Sequence, residues 1–165
     1  MEYLNVLMGE VKVSSNAIGT YGIATCIGVL LVDENNKKAL VGHFNSNYNG
    51  GSVDEDIDRI YNLINQTLTL NNMINELSYL IIPGIYDNPR ISEVSIGLEN
   101  KLSKYNKIDI KKSDIKLHDE TKSLEFVYDP VSLSFVTNNY FPNDEDYEYD
   151  IVSCGLQDKA NNSYI

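Results

Sequence analysis

At 165 residues, 42% of them hydrophobic, the chain suits one compact domain that buries roughly 70% of its unfolded surface without metal or disulfide staples. A formal charge of −11 argues against the phosphate backbone of nucleic acid as a partner, since neutralising it takes clustered Lys and Arg that this chain lacks. Two cysteines, Cys26 and Cys154, give neither a disulfide framework nor a four-ligand zinc site, and fit a reducing compartment.

The opening Met1-Glu2-Tyr3-Leu4-Asn5 has no basic start and no apolar run, and no later apolar segment approaches the ~20 residues of a membrane span. The expected location is the cytoplasm, although injection by a secretion machine would leave no mark of this kind. Tyr3 to Val13 alternates apolar and polar residues and predicts a strand broken near Gly9, followed by a polar loop, Ser14-Ser15-Asn16. Ile18 to Ile23 is a second extended piece, in which Gly22 permits a tight backbone turn just before Cys26. Cys26 to Val32 and Ala39 to Phe44 then read as the two arms of a hairpin around the polar stretch Asp33 to Lys38.

Asn45 to Gly51 reads as a loop, and Ser52-Val53-Asp54-Glu55 as a capping box. Val53, Ile57, Ile60, Ile64 and Leu68 form one apolar stripe on a helix running to about Leu70, which packs on a sheet. Leu77 to Ile82 is a buried strand, Tyr86 to Arg90 a loop, and Ile96 to Lys104 a shorter helix. Strand candidates follow at Ile108-Ile110, Ile115-Leu117, Leu124 to Tyr128 and Leu133 to Val136, the last two joined through Asp129-Pro130. Many strands against two helices predict an α+β fold: a mixed or antiparallel β-sandwich core with two packed helices. Residues 1–137 would form this domain. Residues 138–165, with Asp144, Glu145, Asp146, Glu148 and Asp150 and a possible strand at Ile151 to Cys154, would be an acidic extension packed on it or trailing it, a solvated tail or a docking segment for a basic surface.

The chemistry-bearing candidates are Cys26 and His43. A two-residue loop at Asn35-Asn36, with the positive φ such hairpins favour, sets His43 opposite Gly28 and makes Cys26 its diagonal neighbour on the same face. A four-residue loop from Asp33 to Asn36 sets Cys26 directly across, with Cβ atoms ~5 Å apart. A three-residue loop would send the two side chains to opposite faces. An imidazole beside a thiol lowers the thiol pKa and later returns a proton to the leaving group, which is acyl-transfer chemistry. Such sites usually carry a third group that holds the ring in one tautomer, and Thr20, just upstream of Cys26, is a candidate to supply it. His118 lies in a polar stretch and Cys154 reads as a bystander.

Gly9-Glu10, then Thr20-Tyr21-Gly22-Ile23-Ala24-Thr25-Cys26, then Gly42-His43-Phe44, resembles the chemoreceptor glutamine deamidase family CheD. The likeness continues through the helix after the His strand, the buried strand, an Ile96-Gly97-x-x-Asn100 match to a motif opening the second helix, and the closing strand pair, over about residues 5 to 137. It implies hydrolysis of a glutamine side-chain amide to glutamate on a protein substrate presenting an exposed glutamine, through a thioester and without metal or cofactor. Cys26 would be the nucleophile, His43 the general base and acid, and Thr20 the residue orienting His43. Backbone amides at the Thr25-Cys26 turn, shaped by Gly22, would receive the oxyanion. Cysteine toxins of the cytotoxic necrotizing factor kind look similar, so the fold does not set the substrate.

Three departures from the family pattern fall where substrate would bind. Ala24-Thr25 replaces Gly-Ser, Pro83-Gly84-Ile85-Tyr86 replaces Gly-Gly-Ala, and the second helix is expected to be shorter. A rival reading is a catalytically silent, acidic adaptor or immunity-type protein with a regulatory or basic protein partner, in which Cys26 is buried, distant from His43 and inert.

Overall fold

The computed structural model describes residues 2–45, 51–84, 89–109, 123–140 and 159–160. The predicted strand at Ile115-Leu117, His118, Cys154 and the acidic run from Asp144 to Asp150 lie outside them. The fold is α+β, as the sequence predicts. Among the described residues, ten strands and two helices follow one another as β1 (Leu4–Asn5), β2 (Glu10–Ser14), β3 (Ile18–Ile23), β4 (Cys26–Asp33), β5 (Lys38–Asn45), α1 (Val53–Leu70), β6 (Ser78–Pro83), α2 (Pro89–Leu102), β7 (Asn106–Lys107), β8 (Ser123–Asp129), β9 (Ser134–Tyr140) and β10 (Lys159–Ala160). A six-stranded sheet runs β10-β2-β5-β4-β6-β7 and a four-stranded sheet runs β1-β3-β8-β9.

The helices cover one face of the larger sheet and the smaller sheet covers the other. Strand alternation therefore sorts β4 into two sets. Ile27, Val29 and Leu31 pack with Ile57, Ile60, Ile64, Leu68, Ile91, Val94, Leu98 and Leu102 of the helices. Leu30 and Val32 pack with Ile18, Ile23, Leu124, Phe126 and Tyr128 of the smaller sheet. Every residue of β4 is buried, so no polar face marks it.

The opening strand is two strands in two sheets. Gly9, at φ 85°, is the break, and β1 and β2 diverge there because each side of it pairs with a different layer. The Cys26 hairpin takes the register in which Gly28 faces His43, and Asp33 faces Lys38. The loop inside that register is nevertheless Glu34 to Lys37, and the positive φ is at Lys37 (53°) rather than at the asparagines. The cause is Asp33, whose carboxylate accepts from the Asn36 amide (3.1 Å) and from Asn36 Nδ2 (2.9 Å) and so draws the asparagine into a turn closed by Lys37 N–H on Glu34 O (3.3 Å).

Helix α1 begins as its sequence dictates. Ser52 is the N-cap and its hydroxyl accepts from the Glu55 amide at 3.1 Å. The expected stripe is buried at Ile57, Ile60, Ile64 and Leu68, each contributing about 1.5–3 kcal/mol, while Val53 packs at its edge. The helix stops where Asn72 turns left-handed (φ 56°) and Met73 N–H bonds Leu68 O.

Helix α2 starts at Pro89, seven residues before the expected Ile96, and ends at Leu102, so the expectations of a short helix and of a loop reaching Arg90 are corrected. Proline at the first helical position needs no amide partner, and Ile91, Val94, Leu98 and Leu102 give a full buried stripe. Ile96 is accordingly mid-helix and exposed, and Gly97 lies against α1, where a Cβ would come within 2.1 Å of Ile57 Cδ1. The Ile96-Gly97-x-x-Asn100 motif, expected to open the helix, sits instead mid-helix where the two helices touch. The predicted strand at Ile108 is displaced to Asn106–Lys107, with Ile108 N–H still bonding Tyr79 O at 2.8 Å. β8 and β9 form the predicted hairpin, and β9 continues to Tyr140, beyond residue 137. Among the described residues no helix is long and apolar enough to cross a membrane.

Candidate active site

Thr20 and His43 meet in the layer between the two sheets, and Cys26 starts the neighbouring strand on the same sheet face as His43. Thr20 comes from β3 of the smaller sheet. One extra residue bulges β3 against β8 between Thr20 and Ile23, with Gly22 at φ 84° inside the bulge, a conformation that favours glycine. The chain then crosses to the larger sheet through the bend Ala24-Thr25 and enters β4 at Cys26. His43 lies on β5 opposite Gly28, so Cys26 is its diagonal neighbour on the same face. Diagonal neighbours stand ~7–8 Å apart at the backbone, within reach of a ring.

Glycine at position 28 shapes this layer. A Cβ there would come within 2.7 Å of Ile23 Cδ1 and 2.8 Å of Phe126 Cε1. The sheets thus close tightly beside the imidazole, and no β4 side chain stands directly across from it.

Hydrogen bonds fix the proton on His43. Thr20 Oγ1 donates to the Val6 carbonyl at 2.6 Å and lies 2.7 Å from His43 Nδ1. A hydroxyl has one proton, and a carbonyl can only accept it, so towards the ring Thr20 is the acceptor and Nδ1 must carry the hydrogen. That leaves the lone pair on Nε2, which is buried and has no hydrogen-bond partner. Complete burial lowers the His43 pKa from 6.5 to about 4, so the ring is neutral at neutral pH. A neutral ring with its proton pinned on Nδ1 is a base at Nε2.

The backbone around the ring is fastened as well. Gly9 N–H donates to His43 O at 2.7 Å, and the Leu7 amide donates to Glu10 Oε2 at 2.9 Å. The Gly9-Glu10 pair is thereby a support for the histidine strand. Val6, Gly28 and Gly84 were not singled out as site residues from sequence, because their contributions are a carbonyl and two missing side chains. At Gly84, just past β6, a Cβ would lie 2.3 Å from Ala24 O and 2.9 Å from Cys26 O. With Ala24 O facing Gly84 and the peptide trans, the Thr25 amide points away from β6. The Thr25 side chain is exposed.

Protein-family models and curated proteins yield no match to this chain. Its own geometry carries the functional reading. Cys26 is 2% exposed and His43 fully buried. Two surface hollows, one bounded by Asn75, Glu76, Lys104 and Tyr105 and one by Asn62, Asn65, Gln66 and Leu70, lie away from the pair. Among the described residues no group of three His, Cys, Asp or Glu is placed to hold a metal ion.

Proposed function

We propose that this chain is a cysteine-dependent protein glutamine deamidase, a hydrolase of carboxamide C–N bonds. The observation that carries the reading is a neutral imidazole, anchored at Nδ1 by Thr20 and unpartnered at Nε2, on the same strand face as a cysteine. Cys26 Sγ attacks the carboxamide carbon while its proton passes to His43 Nε2. The tetrahedral intermediate collapses as the imidazolium returns that proton to the amide nitrogen, releasing ammonia and leaving a thioester. Water then gives a proton to Nε2 and its hydroxide to the acyl carbon, and the proton goes back to sulfur as glutamate leaves. The Thr25 amide, which points away from β6, is the proposed oxyanion donor at the Thr25-Cys26 turn, contributing ~3 kcal/mol. The reaction calls on no cofactor, and the substrate is a protein with an exposed glutamine.

Mass spectrometry of candidate proteins incubated with the chain tests this directly. The expected result is a ~1 Da gain on glutamine that disappears with Cys26→Ser. No such gain in any candidate, with Cys26 inert to iodoacetamide in the native protein, would overturn it. The burial of Cys26 favours a second reading, a silent acidic binding module on the same fold. The two part on whether alkylation of Cys26 slows when His43→Ala removes the base.

A further inference from the structure

Outside the Cys26 layer, one buried charge has two partners whose placement is not explained by packing alone. Asp56, in the first turns of α1, is 2% exposed. Its Oδ2 meets Arg90 Nη2 at 2.6 Å and its Oδ1 meets Arg59 Nη2 at 3.4 Å. A buried carboxylate is costly unless paired, so Asp56 holds both guanidinium groups in place. Each then donates onward to a backbone carbonyl: Arg59 to Asn45 at 3.0 Å and Arg90 to Gly51 at 2.5 Å.

Those carbonyls are not arbitrary. Asn45 ends β5, two residues past His43, and is the register partner of Cys26. Gly51 immediately precedes the Ser52 cap of α1, and Arg90 itself lies in the first turn of α2. On the other side of Cys26, β6 ends at Pro83 beside Ile27, and Gly84 abuts the Ala24 and Cys26 carbonyls. One carboxylate therefore ties together the end of the histidine strand and the starts of both helices. All three lie at the end of the sheet where β4 begins with Cys26.

We propose that Asp56, with Arg59 and Arg90, is a positioning network that clamps the Cys26 end of the β4–β5 hairpin and sets how readily the thiol is reached. The inference rests on the deamidase reading only in taking Cys26 as the nucleophile. Its primary test uses thiol reactivity and needs no substrate.

The experiment measures iodoacetamide labelling of Cys26 in a Cys154→Ser background, at several sub-denaturing urea concentrations. Asp56→Asn keeps the shape and removes the charge. It is expected to label at least tenfold faster than the parent with little dependence on urea, the mark of local opening. Arg90→Lys, which keeps a charge for Asp56 but loses the planar fork, should fall between. Leu68→Ala, in the helix core about three turns along α1 from Asp56, should label faster only with the steep urea dependence of global unfolding. Labelling of Asp56→Asn at the parent rate, or with the Leu68→Ala urea dependence, would overturn the proposal. If Asp56→Asn does not fold, Arg90→Lys decides by the same two criteria. Where a deamidated substrate is in hand, Asp56→Asn should lower kcat more than it raises KM. Absence of deamidation in the parent chain would count against the deamidase reading and leave the labelling result standing.

Discussion

The two faces of strand β4 are equally buried and do different things. Towards the helices, Ile27, Val29 and Leu31 meet an apolar layer built mainly by aliphatic residues of α1 and α2. Towards the smaller sheet, Leu30 and Val32 share their face with Cys26, with Gly28, and with His43 and Thr20 reaching in from β5 and β3. Apolar burial stabilises the first face and tolerates changes of shape at a cost in packing. The second face contains a hydrogen-bond relay from Val6 O through Thr20 to His43, where each atom has one correct partner. A single strand thus separates a layer specified by volume from a layer specified by proton positions.

The helix-side layer should break first. Ile60→Ala, at a fully buried position, should cost about 2–5 kcal/mol in urea unfolding while leaving the His43 tautomer unchanged. The sheet-side layer should instead respond to acid. His43 has its pKa lowered from 6.5 to about 4 by burial, so the unfolded chain binds a proton more readily. Stability from this group is complete above pH 6.5 and is lost as pH falls to about 4, a change of about 3 kcal/mol that His43→Leu should abolish. Equal acid sensitivity in His43→Leu would erase the distinction between the layers.

Thr20→Val sharpens the comparison, because it removes a hydroxyl at nearly constant volume. It should cost about 1–3 kcal/mol by stranding the Val6 carbonyl and the Nδ1 proton, and under the proposed deamidase function it should reduce turnover far more than that stability loss explains. A surface site sets the lower bound. Ser52→Ala, which removes only the α1 cap, should cost ~1 kcal/mol and change neither layer.

What was legible in the sequence follows the same division. The α1 stripe was readable because Ile57, Ile60, Ile64 and Leu68 alternate with solvent-facing residues at helical spacing. The start of α2 was hidden by Asp87-Asn88-Pro89, which reads as a turn although Pro89 serves as a first helical residue. Tyr3 to Val13 shows one alternation along its length, and nothing local indicates that its halves join different sheets across Gly9. The register of Cys26 and His43 could be narrowed to a few hairpin geometries. The choice among them was made by Asp33 gripping Asn36, a side-chain contact that residue preferences alone do not rank. Thr20 is marked in the sequence by the resemblance and by the ring's need for a third group. Its bond to His43 spans two sheets, and no spacing rule within one hairpin reports it.

The central claim is that Thr20 pins the proton of a neutral His43 on Nδ1 and leaves the Nε2 lone pair unpartnered on the sheet face that carries Cys26. Nitrogen-15 NMR of the His43 ring across a pH titration measures this most directly. The account predicts a protonated Nδ1 and an unprotonated Nε2 at neutral pH, with the ring charging only near pH 4. A proton on Nε2, or titration at the ordinary value of 6.5, would contradict it.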